Sequence, residues 1–379
     1  MNSTLVEVLR SAARLQELVP DAVLVGGSAA AWHAGHRKSS DHDHVLADLS
    51  TRFDAVLEAL EREPDWVTNR VTPGKIILGS LGDIEAGVRQ MIRQRALEVE
   101  VASLPDGLTV RVPTVAETLR IKAFLIVRRN QVRDYLDVAA VSAHLGTEQA
   151  SRVLSKIDEF YADSTKPGEA VATQLVRQLG NPRPRDLSSV AEIARYKGLQ
   201  APWNSWAAVR DQCRLLAAQM VIGARAPEAG GGLMVRFRNI VGSPHDPVEE
   251  WGFEGLLAAV DRGDVGDWRR IMAAVRTDAY GPVVDVLLEV LEVAEDSGAA
   301  GALRTAVGMV RDEQATADRA AVAAELNRLV ERSGLDQGAF ARRIGTSRTR
   351  LNTYLTGRTM PSALVMLRAC RITDRQAAT

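Results

Sequence analysis

Residues 24–49 read LVGGSAAAWHAGHRKSSDHDHVLADL, and this stretch decides the fold of the N-terminal part of the chain. A short apolar run, Ala22–Val25, reads as a buried strand that delivers Gly26, Gly27 and Ser28. Small residues follow as far as Gly35 and favour a short helix. A second strand then opens with Asp41-His42-Asp43. Strand alternation puts Asp41 and Asp43 on one face, about 7 Å apart. Paired carboxylates at that spacing suit Mg²⁺, which binds a few carboxylates together with substrate phosphates. Glycines let backbone N–H groups come close to a phosphate, and the Ser28 hydroxyl is a candidate donor to it. The pattern suits attack on the α-phosphate of a nucleoside triphosphate with two Mg²⁺ ions bound. His42 and His44 fall on the opposite face and are expected to pack behind the site rather than bind zinc, since no Cys is near.

Outward from this segment, residues 3–18 have helical spacing, and Thr51–Glu63 reads as a helix stopped by Pro64. Between Trp66 and Pro113 the texture is β, with strands expected at 75–78, 97–104 and 108–112. Thr114 and Glu117 have capping-box spacing and open a helix to about Val127. The chain is then helical to about residue 222, with breaks at 166–168 and 181–184. The helix-borne block RIKAFLIVRRNQVRDYLDVAA spans residues 120–140.

These two blocks together resemble the polymerase-beta-like nucleotidyltransferases, which carry Gly-Ser followed about a dozen residues later by Asp-x-Asp. Gly35-His36-Arg37 before Ser40-Asp41 is similar to the AbiEii-type nucleotidyltransferase toxins of bacterial toxin–antitoxin systems. The resemblance covers about residues 20–145. It implies an α+β domain with a mixed sheet and flanking helices. It further implies that Asp41 and Asp43 bind metal, that Gly27, Ser28, Arg37 and Arg133 contact substrate, and that Lys122 contacts phosphate or nucleotide. Asp134 and Asp137 would complete or brace the site. The family takes a third carboxylate from a later strand. Glu98 and Glu100 are the candidates here, with Glu100 favoured because it lies nearer the strand end. The resemblance implies an NTP substrate and an RNA acceptor, in the toxin family a tRNA end.

Residues 325–370, ELNRLVERSGLDQGAFARRIGTSRTRLNTYLTGRTMPSALVMLRAC, form a second constellation. Asp336-Gln337 opens a helix with Phe340, Ala341 and Ile344 inward. Gly345 makes a tight turn, and Ser347 caps a helix with Leu351 and Tyr354 inward. This is similar to the XRE (Cro/repressor-like) helix-turn-helix family. The resemblance implies operator DNA as a partner and binding as a dimer. Arg348, Thr349, Arg350 and Asn352 then face outward, residue types suited to base edges. Gln337 and Arg358 would contact phosphates, which position the protein without specifying sequence.

The composition is that of an ordinary globular protein, 46% hydrophobic and 25% charged, so a sizeable core can form. No run of 18 uncharged apolar residues occurs, the N-terminus is amphipathic, and Cys213 and Cys370 stand far apart. No membrane span, secretory leader or disulfide framework is expected, and a cytoplasmic location is. The net charge of −1 conceals asymmetry: residues 245–318 count −10 and residues 321–379 count +6. Glycines at 230–232 suggest a linker. The expected organisation is a nucleotidyltransferase domain at 1–145, a helical extension at 146–225, a linker at 226–232, an acidic helical domain at 233–318 and the helix-turn-helix at 319–379. The acidic domain would either cover the basic groove of the enzyme or be a solvated spacer. The expected function is a fused toxin–antitoxin in which the C-terminal half restrains the enzyme and represses its own operon. The alternative is a transcriptional regulator with a degenerate or ligand-sensing nucleotidyltransferase domain.

Overall fold

In the computed structural model, which describes residues 3–93, 95–191, 193, 196, 198–223, 237 and 242–377, the chain divides into two compact units. One holds residues 1–277 and 281–306, and the other residues 278–280 and 307–379. The expected linker at 226–232 lies outside the described residues.

The first unit begins with α1 (Ser3–Leu18), β1 (Val23–Val25), α2 (Gly26–Ala34), β2 (Asp41–Leu46) and α3 (Leu49–Glu61). Strands β3 (Trp66–Thr72), β4 (Ile76–Leu81) and β5 (Ile84–Gln90) complete a five-stranded sheet of order β1-β2-β5-β4-β3. It is mixed: β2 and β5 run parallel and the other pairs antiparallel. The domain is therefore α+β, with helices flanking a mixed sheet. The apolar stripe of α3, including Phe53, Val56 and Leu60, packs with Leu46, Ile77 and Val88 on one face of the sheet. The opposite face carries the side chains of Asp41 and Asp43. Residues β6 (Val99–Ser103) and β7 (Thr109–Pro113) pair as a separate two-stranded sheet packed on α1, with Ala102, Val110 and Val112 against Leu5 and Leu9.

Thr114 caps α4 (Val115–Arg129), accepting from the Glu117 N–H at 3.2 Å; the Glu117 side chain pairs with Arg93 and Arg120 rather than returning to the cap. Next come α5 (Val132–Leu145), α6 (Thr147–Leu154), α7 (Val171–Gly180), α8 (Leu187–Ala191) and α9 (Trp206–Ile222). Buried Leu175, Val176, Leu216 and Met220 give α7 and α9 apolar faces.

Helices α10 (Gly252–Arg262), α11 (Val265–Thr277) and α12 (Pro282–Val293) belong to the same compact unit. The Arg269 guanidinium of α11 donates to the Met220 carbonyl at 3.1 Å and to Ser155 Oγ at 3.0 Å. This division differs from the expected boundaries: residues 252–306 are not a domain of their own. Helix α11, with Trp268 and Ile271 buried, packs on α9 and α7 and so continues their core.

The expected boundary between residues 318 and 319 does not interrupt the helix there. One helix, α13 (Ser297–Arg332), passes through it. Its residues there are exposed but mostly good helix formers, with Gln314 bonded to Asp318 one turn on. In the second unit, α14 (Gln337–Ile344), α15 (Arg348–Leu355) and α16 (Ala363–Ala377) close a small core of Leu326, Phe340, Ile344, Leu351 and Tyr354.

Candidate active site and helix-turn-helix

The site is built where β1 hands over to α2. Gly26 has φ +76°, a left-handed conformation that a side chain would strain, and its position faces the Asp43 carboxylate. The helix starts there with no side-chain cap from Val25, and among the described residues no side-chain hydrogen bond to its first-turn N–H groups is formed. A Cβ on Gly27 would collide with the Arg37 guanidinium, so the glycine allows Arg37 to lie against this turn. Ser28 is buried, and its hydroxyl donates to the Asp41 carbonyl at 2.5 Å. That bond corrects the expectation of a phosphate donor: Ser28 fixes the start of β2 to the start of α2.

Along β2 the burial alternates. Asp41 is exposed, Asp43 and Val45 half-buried, and His42, His44 and Leu46 buried. Both carboxylates open into a cleft of about 900 Å³ lined by residues between Val25 and Tyr196, among them Gly27, Arg37, Lys122, Arg129 and Arg133. His42 bonds Ser11 at 2.9 Å on the other face, and burial lowers its pKa to about 4. His44 is fully buried with neither ring nitrogen partnered, and burial likewise holds it neutral.

Asp137 on α5 is fully buried and gathers three bases: Lys122 Nζ at 2.7 Å, Arg37 Nε at 2.8 Å and His36 Nε2 at 2.8 Å. Burial opposes its ionisation, but Arg37, Lys122 and His36 outweigh that and hold its carboxyl well below the usual range. Asp137 thus braces two cleft cations without lining the cleft. Asp134 is placed the same way. It is fully buried and clamps Arg129 through two bonds of 2.6 Å, so it is a positioning residue and not the catalytic one expected.

Glu100 is likewise corrected. It sits on β6, in the separate two-stranded sheet, and does not line the cleft; Glu98 pairs with Arg120 at 3.0 Å. The missed residue is Glu85. On β5 it stands in register with Asp41, as Gly87 does with Asp43 and Arg89 with Val45, and it lines the cleft. The signal lies in the alternation of IEAGVRQ, where Ala86 and Val88 pack into the core and Glu85, Gly87 and Arg89 line the cleft on the other face. Glu85 puts a third carboxylate on the wall of the cleft that Asp41 and Asp43 line, but among the described residues no three acids or histidines are gathered closely enough to hold one metal ion together. Carboxylates are hard oxygen donors, the chemistry Mg²⁺ selects.

Acidic residues 245–306 contribute nothing to the cleft lining, so the expected cover over a basic groove is not formed there among the described residues.

In the second unit, Asp336 caps α14 and Ser347 caps α15, the latter accepting from the Arg350 N–H at 3.1 Å. The Ser347 oxygen accepts in that cap, and its O–H is left to donate, which keeps the expected DNA contact of Ser347 open. Gly345 between the two helices has φ +80°. Gln337, Arg348, Thr349, Arg350, Asn352 and Arg358 are exposed, and none of Arg348, Arg350 and Arg358 forms an ion pair among the described residues.

Over 247 residues the chain is 30% identical to the heme uptake protein MmpL11 of Mycobacterium tuberculosis, covering 58% of this chain and 23% of that protein. It is 28% identical over 236 residues to the mycolic acid-containing lipids exporter MmpL11 of Mycolicibacterium smegmatis, covering 59% and 22%. The chain spans about a quarter of the length of these curated relatives. Among the described residues no helix is long and apolar enough to cross a membrane. An H. pylori protein provisionally assigned as a nucleotidyltransferase has a solved structure that is 14% identical, with a TM-score of 0.32, covering 56% of this chain and 90% of that one. A likeness that slight carries no conclusion. Residues 321–379 match the model of a helix-turn-helix domain, and with the α14–turn–α15 geometry the chain carries such a domain at its C-terminus.

Proposed function

We propose that the first unit is a Mg²⁺-dependent nucleotidyltransferase, moving a nucleotide from an NTP to an RNA acceptor such as a tRNA end. We further propose that the helix-turn-helix binds operator DNA. The observation that carries the first part is the shared cleft: the uncapped first turn of α2 faces Asp41, Asp43 and Glu85, with Lys122 and Arg37 beside it. Asp41 and Asp43 would hold two Mg²⁺ ions together with substrate phosphates, and the ions would neutralise phosphate charge and raise the nucleophilicity of the acceptor hydroxyl. The chain supplies the rest. First-turn amides of Gly27 and Ser28 receive phosphate oxygens, and Lys122 and Arg37 offer positive charge from places fixed by Asp137. Arg70 and Arg133 line the cleft without a carboxylate partner among the described residues, which suits a polyanionic acceptor.

As a fused toxin–antitoxin, the C-terminal half would slow the enzyme without abolishing transfer; among the described residues the cleft lining comes from residues 25–196. The full chain, incubated with tRNA, Mg²⁺ and each labelled NTP in turn, should label the RNA with at least one of them. Pyrophosphate release that does not depend on added RNA, with no label in the RNA, would refute the acceptor assignment.

A further inference from the structure

Five cations that line the cleft are held by carboxylates, and four of them by carboxylates behind its wall. Lys122 and Arg37 rest on Asp137, Arg129 on Asp134 and Arg93 on Glu117, and all three acids are fully buried. Such pairs do not let go, because parting them would strand a charge in a dry interior. Arg89 is different. Its Nε lies 3.2 Å from Asp43 Oδ1, so its partner is itself a cleft carboxylate. Both side chains are partly exposed, 42% for Arg89 and 34% for Asp43, which makes this a weak and exchangeable pair.

The sheet builds this contact. β2 and β5 are parallel, with Asp43 opposite Gly87 and Val45 opposite Arg89. A Cβ on Gly87 would come within 2.8 Å of Asp43 Oδ1, so the missing side chain lets the carboxylate lie over β5 within reach of Arg89. A divalent cation on Asp43 would repel a guanidinium this close. The triphosphate arriving with that cation offers the guanidinium another anion.

We propose that Arg89 is an exchanging counter-ion: it occupies Asp43 in the free protein and moves to the phosphates of the incoming nucleotide. The inference rests on the nucleotidyltransferase reading of the cleft, and it makes Arg89 both a competitor of the metal and a ligand of the substrate.

The test uses the full chain and calorimetric titration, first with Mn²⁺ alone and then with a nucleoside triphosphate in saturating Mg²⁺. R89Q should bind Mn²⁺ alone roughly three- to tenfold more tightly than wild type, since a charge of the same sign has left the site. It should bind the nucleotide more weakly by a similar factor. Arg89→Lys keeps the charge and should bind Mn²⁺ as wild type does. Circular dichroism melts of both variants verify the fold. Unchanged Mn²⁺ affinity in R89Q overturns the inference, as does tighter Mn²⁺ binding with unchanged nucleotide affinity. Those results leave the cleft reading standing. Failure of the reading itself looks different: wild type and Asp43→Asn would then bind Mn²⁺ equally weakly, and the Arg89 inference would fall with it.

Discussion

At the residue scale, the site depends on where charge is buried and where it is not. Asp137 receives three bases in a dry interior, so its removal should be costly. Asp137→Asn leaves Lys122 and Arg37 without their anion, and we expect a loss of about 3 kcal/mol in urea unfolding at pH 7. The pH dependence follows from its depressed folded pKa. The carboxylate's contribution is present above the ordinary Asp value of about 4 and fades as pH falls toward the folded one. The Asn variant and wild type should therefore converge in strong acid, and a constant gap down to pH 2 would contradict this. His44 makes the opposite case. Neutral, buried and without a partner on either ring nitrogen, it resists protonation while the unfolded chain accepts a proton below about pH 6.5. Stability contributed by the neutral ring is thus lost as pH falls from that value. His44→Leu should flatten the acid side of the stability curve and leave stability at pH 7 unchanged or raised by about 1 kcal/mol. A marked loss at pH 7 would show that the imidazole has a partner in solution.

At the scale of elements, β5 decides which carboxylates meet. Glu85→Gln should reduce nucleotide transfer at least tenfold, whereas Glu100→Gln should leave it within about twofold; the reverse order would place the third carboxylate on β6. Much of this arrangement was legible in the sequence. Asp41-His42-Asp43 gave its faces by alternation, Gly26-Gly27 gave the turn, and Asp336, Gly345 and Ser347 gave the helix-turn-helix. Glu85 escaped because β5 carries Gly87 and Arg89 at its outward positions and lacks the β-branched richness of an obvious strand. Strand order was the deeper difficulty. That β5 inserts beside β2 is a long-range pairing that no local pattern encodes, so Glu98 and Glu100 looked better placed than they are. The recognition helix α15 exposes Arg350, and Arg350→Ala should weaken operator binding by about 1–3 kcal/mol and relax its specificity. Arg358→Ala should weaken binding to all sequences alike and lessen the salt dependence. Gel shifts across salt concentrations separate the two, and equal effects of both variants on cognate and random DNA would remove Arg350 from base reading.

At the scale of the molecule, the acidic helices α10–α12 are part of the first unit. A chain cut at residue 226 would uncover the faces of α7 and α9 on which α11 and the start of α13 pack. Residues 1–226 should therefore melt well below the full chain or aggregate, and a melting point equal to that of the full chain would contradict the single-unit packing. The proposed toxin role is thus better tested in the full chain, by comparing growth of cells that make wild type with growth of cells that make Asp43→Asn. The central claim is that the cleft transfers nucleotides, and the most direct measurement of it is label incorporation from the four NTPs into RNA by wild type and Asp43→Asn at equal folded concentration. The account predicts incorporation by wild type and a loss of at least a hundredfold in the variant. Equal incorporation by the two proteins would contradict it.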